Sequence, residues 1–169
     1  MVKAGGSESS IPVPLIRPAK SHDIESAAQL LVRLKRLNGE FDPMFAVRDD
    51  CLDRAKKYLE EAIADQSSVV LVAEEKGKIV GLVRADLRDR IFYEPKIAGT
   101  IVDFYIYPEH RRRKLGQKLI QTTITKLKQK GAQIVTAEFP TQNVIATNFY
   151  EKNGFRRLLC IYAARSSEE

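Results

Sequence analysis

Hydrophobic positions in this chain change period several times, and each change marks a new element. Val13–Pro18 is a short β-prone run that Pro14 and Pro18 confine to a sheet edge. Ile24, Ala27, Ala28, Leu31, Leu34 and Leu37 then recur at helical spacing. Ser21 is placed to cap that helix, Asp23 and Glu25 lie in its first turn, and Asn38–Gly39 is expected to stop it. Leu52, Ala55, Leu59, Ala62 and Ile63 predict a second helix from about Asp49. The pattern next becomes β-like. Ser68–Glu74, a tight turn at Gly77 and Ile79–Leu87 predict a hairpin, followed by a longer loop over Arg88–Ala98 and a returning strand at Thr100–Tyr107. Helical spacing resumes with Leu115, Leu119, Ile120, Ile124 and Leu127, while Lys118, Gln121, Lys126 and Lys128 take the wet face. Gly131 ends that helix. Gln133–Phe139 predicts a strand, Asn143–Asn153 a short helix closed by Gly154, and Phe155–Ala164 a last strand.

This order implies a mixed α/β (α+β) domain with a central, mostly antiparallel sheet and flanking helices. The strand–helix–strand unit around Leu115–Leu127 should make a right-handed crossover between parallel strands, and ligands of such units sit at the strands' carboxyl ends. The Gly- and Ser-rich residues 1–10 are expected to form a disordered tail, residues 11–165 a single domain, and 166–169 a short tail.

Composition narrows the classes. A chain of 169 residues, 44% hydrophobic and 30% charged, is long enough for one sizeable core. The net charge is +6, and the run Arg111–Lys114 carries four cations in succession. So local an excess favours one anionic ligand over a surface that coats nucleic acid. No apolar run approaches the ~18 residues of a membrane span, and MVKAGGSESS lacks the apolar centre of a signal peptide, so a cytoplasmic protein without a membrane partner is expected. Cys51 and Cys160 lie far apart without CxxC spacing, and only His22 and His110 could join them. That set argues against a disulfide framework, a metal site and a Cys–His nucleophile.

The candidate chemistry centres on Ile101–Ile120, IVDFYIYPEHRRRKLGQKLI. It runs from an aromatic and β-branched strand through a cationic turn into a helix. The first N–H groups of a helix have no intrahelical partner, and the macrodipole turns its positive end towards them. Such a turn cradles phosphate oxygens.

PEHRRRKLGQKLI resembles the coenzyme A pyrophosphate loop of the GNAT superfamily, the acetyl-coenzyme A-dependent N-acyltransferases. Arg111 takes the first motif position and Gly116 the last, but Lys114 stands where the family's middle Gly is expected. Lys114 would serve there with a negative φ; a positive φ would favour glycine. A second piece, NVIATNFYEKNGF at Asn143–Phe155, resembles the family's Asn, the small residue three positions on (Ala146 here) and its FYEKxGF signature. The two pieces and the element order between Ile11 and Ala164 cover nearly the whole chain. The resemblance implies a GNAT-like single-domain fold and acetyl transfer from acetyl-coenzyme A to an amine, of a small molecule or of a protein, without a metal.

Carried over by position, the backbone from Arg111 through Arg112, Arg113, Lys114, Leu115 and Gly116 to Gln117 would hold the pyrophosphate. The main chain of Phe104, Tyr105 and Ile106 would pair with the pantetheine arm and supply an oxyanion donor. Asn143 would bond the arm near its thiol, with Phe149 beside it. Tyr150 would be the general acid, although a tyrosine on an amphipathic helix is by default a core aromatic. Asp103 and Glu138 are both candidates for general base, Asp103 slightly preferred, although each would ordinarily be a solvent-facing strand residue. The apolar set Phe41, Met44 and Phe45 lies in a connection and is a candidate acceptor surface, or a staple of that loop to the core. A homodimer is left open. The alternative function is a basic nucleic-acid-binding module that grips through Arg111–Lys114.

Overall fold

The computed structural model describes residues 13–111 and 114–166. The expected tail at 1–10, the end of the expected tail at 166–169, and Arg112 and Arg113 of the proposed loop lie outside the described residues.

Five strands form one sheet in the order β1 (Leu15–Pro18), β2 (Ser68–Glu75), β3 (Lys78–Asp89), β4 (Ile97–Ile106) and β5 (Ile134–Ala137). Neighbours are antiparallel except β4 and β5, which are parallel. Helix α3 (Leu115–Gln129) makes that crossover, as the strand–helix–strand pattern predicts. Helices α1 (Ile24–Phe41) and α2 (Cys51–Ala64) cover one face of the sheet, while α3 and α4 (Val144–Lys152) cover the other.

Coverage on both faces explains why β2 reads as a continuous apolar run, buried from Ser68 to Ala73. Val70 and Val72 join Leu30, Leu59 and Leu82 in the core under α1 and α2. Val69, Leu71 and Ala73 join Leu115, Leu119, Ile120 and Leu127 in the core under α3.

One irregularity in β4 matters more than the rest. Arg84 pairs with Asp103 but Ala85 pairs with Ile101, so Val102 is an extra residue, a β-bulge. The bulge reverses side-chain parity along the strand. Ile101 packs on the α3 side, whereas Tyr105, four residues on, packs on the α1–α2 side. A bulge also bends the strand that carries it. The β4–β5 ladder ends at Ile101–Ala137, with one further bond from the Glu138 N–H to the Ile101 carbonyl at 2.9 Å, while β4 itself continues to Ile106.

Three local expectations need correction. Asn38–Gly39 does not stop α1, which continues to Phe41. Gly39 is helical and serves close approach instead, because a Cβ there would lie 3.1 Å from the Phe45 carbonyl oxygen. The helix stops where Pro43 cannot continue it, and the Asp42 carboxylate turns to accept the Met44 N–H at 2.9 Å. Ser21 opens a 3₁₀ turn and does not cap α1. Asp23 stands at the N-cap position of α1 without a side-chain bond to the helix; its carboxylate turns back to accept the Lys20 N–H at 2.8 Å and is gripped by Arg17 at 2.7 and 2.9 Å. The last strand expected over Phe155–Ala164 is not part of the sheet; the segment is irregular, exposed over most of its length, and has no partner strand among the described residues. Strand propensity reports the fit to a pleated, half-buried surface, and no such surface lies beside the segment among the described residues.

Candidate active site

Where β4 and β5 separate, the gap between them opens into a cavity of about 380 Å³. One wall is the β4 run Ile101–Ile106 and the other is Glu138 and Phe139 with Asn143, Phe149 and Tyr150. Arg111, Lys114, Gly116 and Gln117 stand at one mouth, and Leu34, Leu37 and Asn38 of α1 at the other. The cavity therefore connects the α3 N-terminus with the α1 side. The backbone edge of β4 beyond Ile101 faces it without a partner strand among the described residues. An extended ligand with amide groups could complete that edge as a strand would.

Sequence explains the basic mouth. Pro108 opens a 3₁₀ turn over Pro108–His110, and Lys114 then adopts φ +59° and ψ +23°, the left-handed region, as N-cap of α3. This is the position at which the loop motif has a glycine, and the positive φ shows why. Arg111 folds back: its Nε donates to the Ile106 carbonyl at 3.0 Å and its guanidinium lies 5.6 Å from the Tyr105 ring centre. The Ile106 carbonyl at the open edge is thus satisfied by a cation. Gly116 is small because Phe149 lies against the helix start; a Cβ would come within 3.1 Å of that ring.

Asn143 is the N-cap of α4, its side-chain oxygen accepting the Ala146 N–H at 2.9 Å. It is 94% buried and lines the cavity, so the cap also fixes an amide group in the cavity wall. Tyr150 is held by rings on every side: Phe139 stacks on it at 5.2 Å, Phe155 and Phe149 meet it edge-on at 5.1 and 5.3 Å, and Phe104 is tilted at 6.5 Å. The ring belongs to the core, and the residue also lines the cavity. Its hydroxyl bonds no described group, yet Arg84 Nε is the one orphan sealed from solvent among the described residues, so the hydroxyl faces the open space. Burial, and secondarily the Asp103 charge, push its pKa up from the usual phenol value.

Asp103 is not a solvent-facing strand residue. The bulge turns it inward, where its side chain is 1% exposed. Its Oδ1 accepts from Lys35 Nζ of α1 at 2.5 Å, and its Oδ2 from the Tyr58 hydroxyl of α2 at 2.7 Å. Arg84 lies over the Tyr58 ring, 4.0 Å from its centre, and donates to the Tyr58 hydroxyl. Burial and the neighbouring carboxylate raise the Tyr58 pKa, which keeps it a neutral donor. Glu138 differs: it is half exposed on the opposite wall, paired with Arg88 at 2.5 Å.

The structure thus brings Phe104, Tyr105, Ile106, Arg111, Lys114, Gly116, Gln117, Asn143, Phe149, Tyr150, Asp103 and Glu138 to one cavity. Leu115, also expected near the phosphates, points its side chain into the core instead, leaving its backbone at the mouth. Phe41, Met44 and Phe45 do not line the cavity; Met44 and Phe45 are half exposed on the turn after α1. Lys35, Tyr58 and Arg84 are the residues that sequence reasoning missed. A signal existed for two of them, since Lys35 and Tyr58 fall on the apolar stripes of α1 and α2, where a polar group needs a partner.

A split parallel strand pair with a helix N-terminus at one mouth and a tyrosine in its wall makes a cavity that suits a slender ligand with an anionic end. Comparison with known proteins places the chain further: the model of the Acetyltransferase (GNAT) family matches residues 33–155, and the chain belongs to that family. An uncharacterized N-acetyltransferase of Archaeoglobus fulgidus is 25% identical over 142 residues, covering 84% of this chain and 92% of that one. Among solved structures, aminoglycoside N-acetyltransferase AAC(6')-Iy in complex with CoA superposes with a TM-score of 0.75 over 91% of this chain and 95% of that one, at 17% identity. A predicted acetyltransferase with acetyl-CoA from Clostridium acetobutylicum gives 0.74 over 90% and 96%, at 16% identity. At those identities the likeness is one of fold.

Proposed function

We propose that the protein transfers the acetyl group of acetyl-coenzyme A to an amine by direct attack on the thioester. The observation that carries this reading is the open β4 edge, which runs from the α3 N-terminus to Tyr150. The residues fit the donor: N–H groups at the start of α3 suit a pyrophosphate, the β4 edge suits the amides of a pantetheine arm, and Asn143 offers a fixed side-chain amide near its end. The donor supplies an activated acyl group with a thiolate leaving group.

Everything else falls to the chain. An N–H of the bulged β4 edge donates to the carbonyl oxygen as it gains charge. Tyr150 gives its proton to the departing sulfur and recovers one from solvent through the cavity. The amine arrives between α1 and β4, where the Asp103 carboxylate already holds one ammonium, that of Lys35. We assign Asp103 to drawing the protonated acceptor in, because both its oxygens are engaged and it is sealed from bulk water. Glu138, half exposed on the other wall, passes the amine's proton to water. An acceptor with an ammonium group on a slim stem fits this entrance.

The test is calorimetry with acetyl-coenzyme A, followed by thiol release across a panel of small amines, lysine peptides and free peptide N-termini. Stoichiometric binding with turnover on one class is expected. Absence of donor binding would remove the reading. Glu138→Gln should lower turnover chiefly below the amine's pKa, whereas Asp103→Asn should raise KM for cationic amines; the reverse pattern would exchange the two roles.

A further inference from the structure

An amine of the chain itself stands at the entrance where an acceptor amine is wanted. Lys35 follows Leu34 on α1 and shares a helix face with Asn38, and both of those residues line the α1-side mouth of the cavity. Its Nζ meets the Asp103 Oδ1 at 2.5 Å, and Asp103 lines the same cavity as Phe104, Asn143 and Tyr150. The two partners are held very differently. The Asp103 side chain is 1% exposed, and its other oxygen is fixed by the Tyr58 hydroxyl at 2.7 Å, beneath Arg84. The Lys35 side chain is 38% exposed, and Asp103 is its one hydrogen-bond partner among the described residues. A lysine stem of four carbons can swing its amine from that carboxylate into the space beside it.

We infer that Lys35 is a self-acetylation site: with acetyl-coenzyme A in the cavity and no external amine, the Lys35 Nζ takes the acetyl group. The inference rests on the reading of the cavity as an acetyl-coenzyme A site. Lys35 first loses one proton to solvent, to which its side chain is open. Its Nζ then forms a bond to the carbonyl carbon, the carbon–sulfur bond breaks, and the second proton ends on the departing sulfur. The products are N-acetyl-lysine, coenzyme A and one proton. The ammonium charge is gone, which leaves the Asp103 Oδ1 open to the ammonium of an incoming acceptor. Lys114 and Lys152 also line the cavity, but Lys114 stands at the α3 mouth and Lys152 at the end of α4, and Asp103 bonds neither.

The test incubates the full chain with acetyl-coenzyme A alone and locates the acetyl group by intact mass and peptide mapping. Lys35 should be modified about 100-fold or more faster than Lys57 and Lys96, whose side chains are 78% and 75% exposed, because a held amine meets the thioester as a neighbour. The rate constant should not change with protein concentration. Acetyl phosphate, a donor without the coenzyme A arm, should give Lys35 no such lead. Lys35→Arg keeps a cation for Asp103 and should abolish the fast modification. Acetylation first at Lys114 or Lys152, a rate constant that rises with protein concentration, or an equal lead with acetyl phosphate overturns the inference. So does fast modification that persists in Lys35→Arg. An unmodified Lys35 in protein that binds acetyl-coenzyme A by calorimetry overturns the inference alone, whereas an unmodified Lys35 in protein that does not bind it removes the reading of the cavity as well.

Discussion

Replacing Tyr150 by Phe removes one hydroxyl and leaves the ring against Phe104, Phe139, Phe149 and Phe155. No described group loses a hydrogen bond, so stability should change by no more than about 0.5 kcal/mol. For a domain of this size that is a shift of about 2 °C or less in Tm. Tyr150→Ala empties the ring's place in the aromatic cluster and should cost about 3–5 kcal/mol. Chemistry should respond in the opposite order of subtlety. If the hydroxyl protonates the leaving sulfur, Tyr150→Phe should lower kcat about 100-fold or more, the usual worth of a general acid. That is about 2.7 kcal/mol of transition-state stabilisation. The Kd for acetyl-coenzyme A should hardly move, since the bond forms as sulfur departs. The raised Tyr150 pKa adds a pH signature: the donor stays protonated above the ordinary phenol value of ~10, so wild-type turnover should not fall through loss of this proton between pH 7 and 10. Thiol release under saturating amine, with a pre-steady-state check that chemistry limits the rate, measures all of this. An unchanged kcat under those conditions would leave Tyr150 a core aromatic.

Three further outcomes follow from packing and charge. In Gly99→Ala the new Cβ would meet Leu127, a fully buried side chain, at 2.8 to 3.0 Å, so the urea midpoint should fall by the equivalent of about 1–3 kcal/mol at constant m; an unchanged midpoint would contradict the close approach. Lys114→Gly relieves a left-handed backbone with φ +59°, and should gain up to about 1 kcal/mol in thermal unfolding while keeping donor binding, since the backbone N–H groups remain. Asp23 has a folded pKa held below the usual carboxylate range, first by the Arg17 hydrogen bond, so its stabilisation is complete above the unfolded value of ~3.9 and disappears as pH falls through the folded one. Asp23→Asn should therefore cost about 1.5–3 kcal/mol at pH 7, with the gap to wild type closing in acid unfolding below about pH 4.

Periodicity foretold most elements because each buries one regular face, and the crossover around α3 followed from strand, helix and strand in succession. The lining of the cavity near the α3 start was legible for a related reason: a helix start, a strand end and an N-cap are local features, written in Gly116, Phe104 and Asn143. The surroundings of Asp103 were not. Asp103 meets Lys35 and Tyr58 only because α1 and α2 lie on the face to which the bulge turns it, and a bulge leaves no mark in a run such as Ile-Val-Asp-Phe-Tyr-Ile. Gly39 misled because glycine's usual helix-ending role competed with its lack of a side chain, and tertiary approach of Phe45 decided the matter. Phe155–Ala164 has the composition of a strand but finds no partner strand among the described residues.

The extra residue at Val102 also bears on how such a site can change by mutation. Beyond it, Asp103 and Tyr105 look towards α1 and α2, while Phe104 and Ile106 look towards α3 and α4. Side chains facing the two layers of helices thus interleave residue by residue on one strand. Substitutions at the odd positions, or on α1 and α2, can change the α1–α2 side while the side facing α3 and α4 stays as it was. A single-residue deletion between 98 and 102 would exchange the two sets and lose both partners in one step. Point mutation can alter one face of this strand alone; a one-residue change of length there alters both at once.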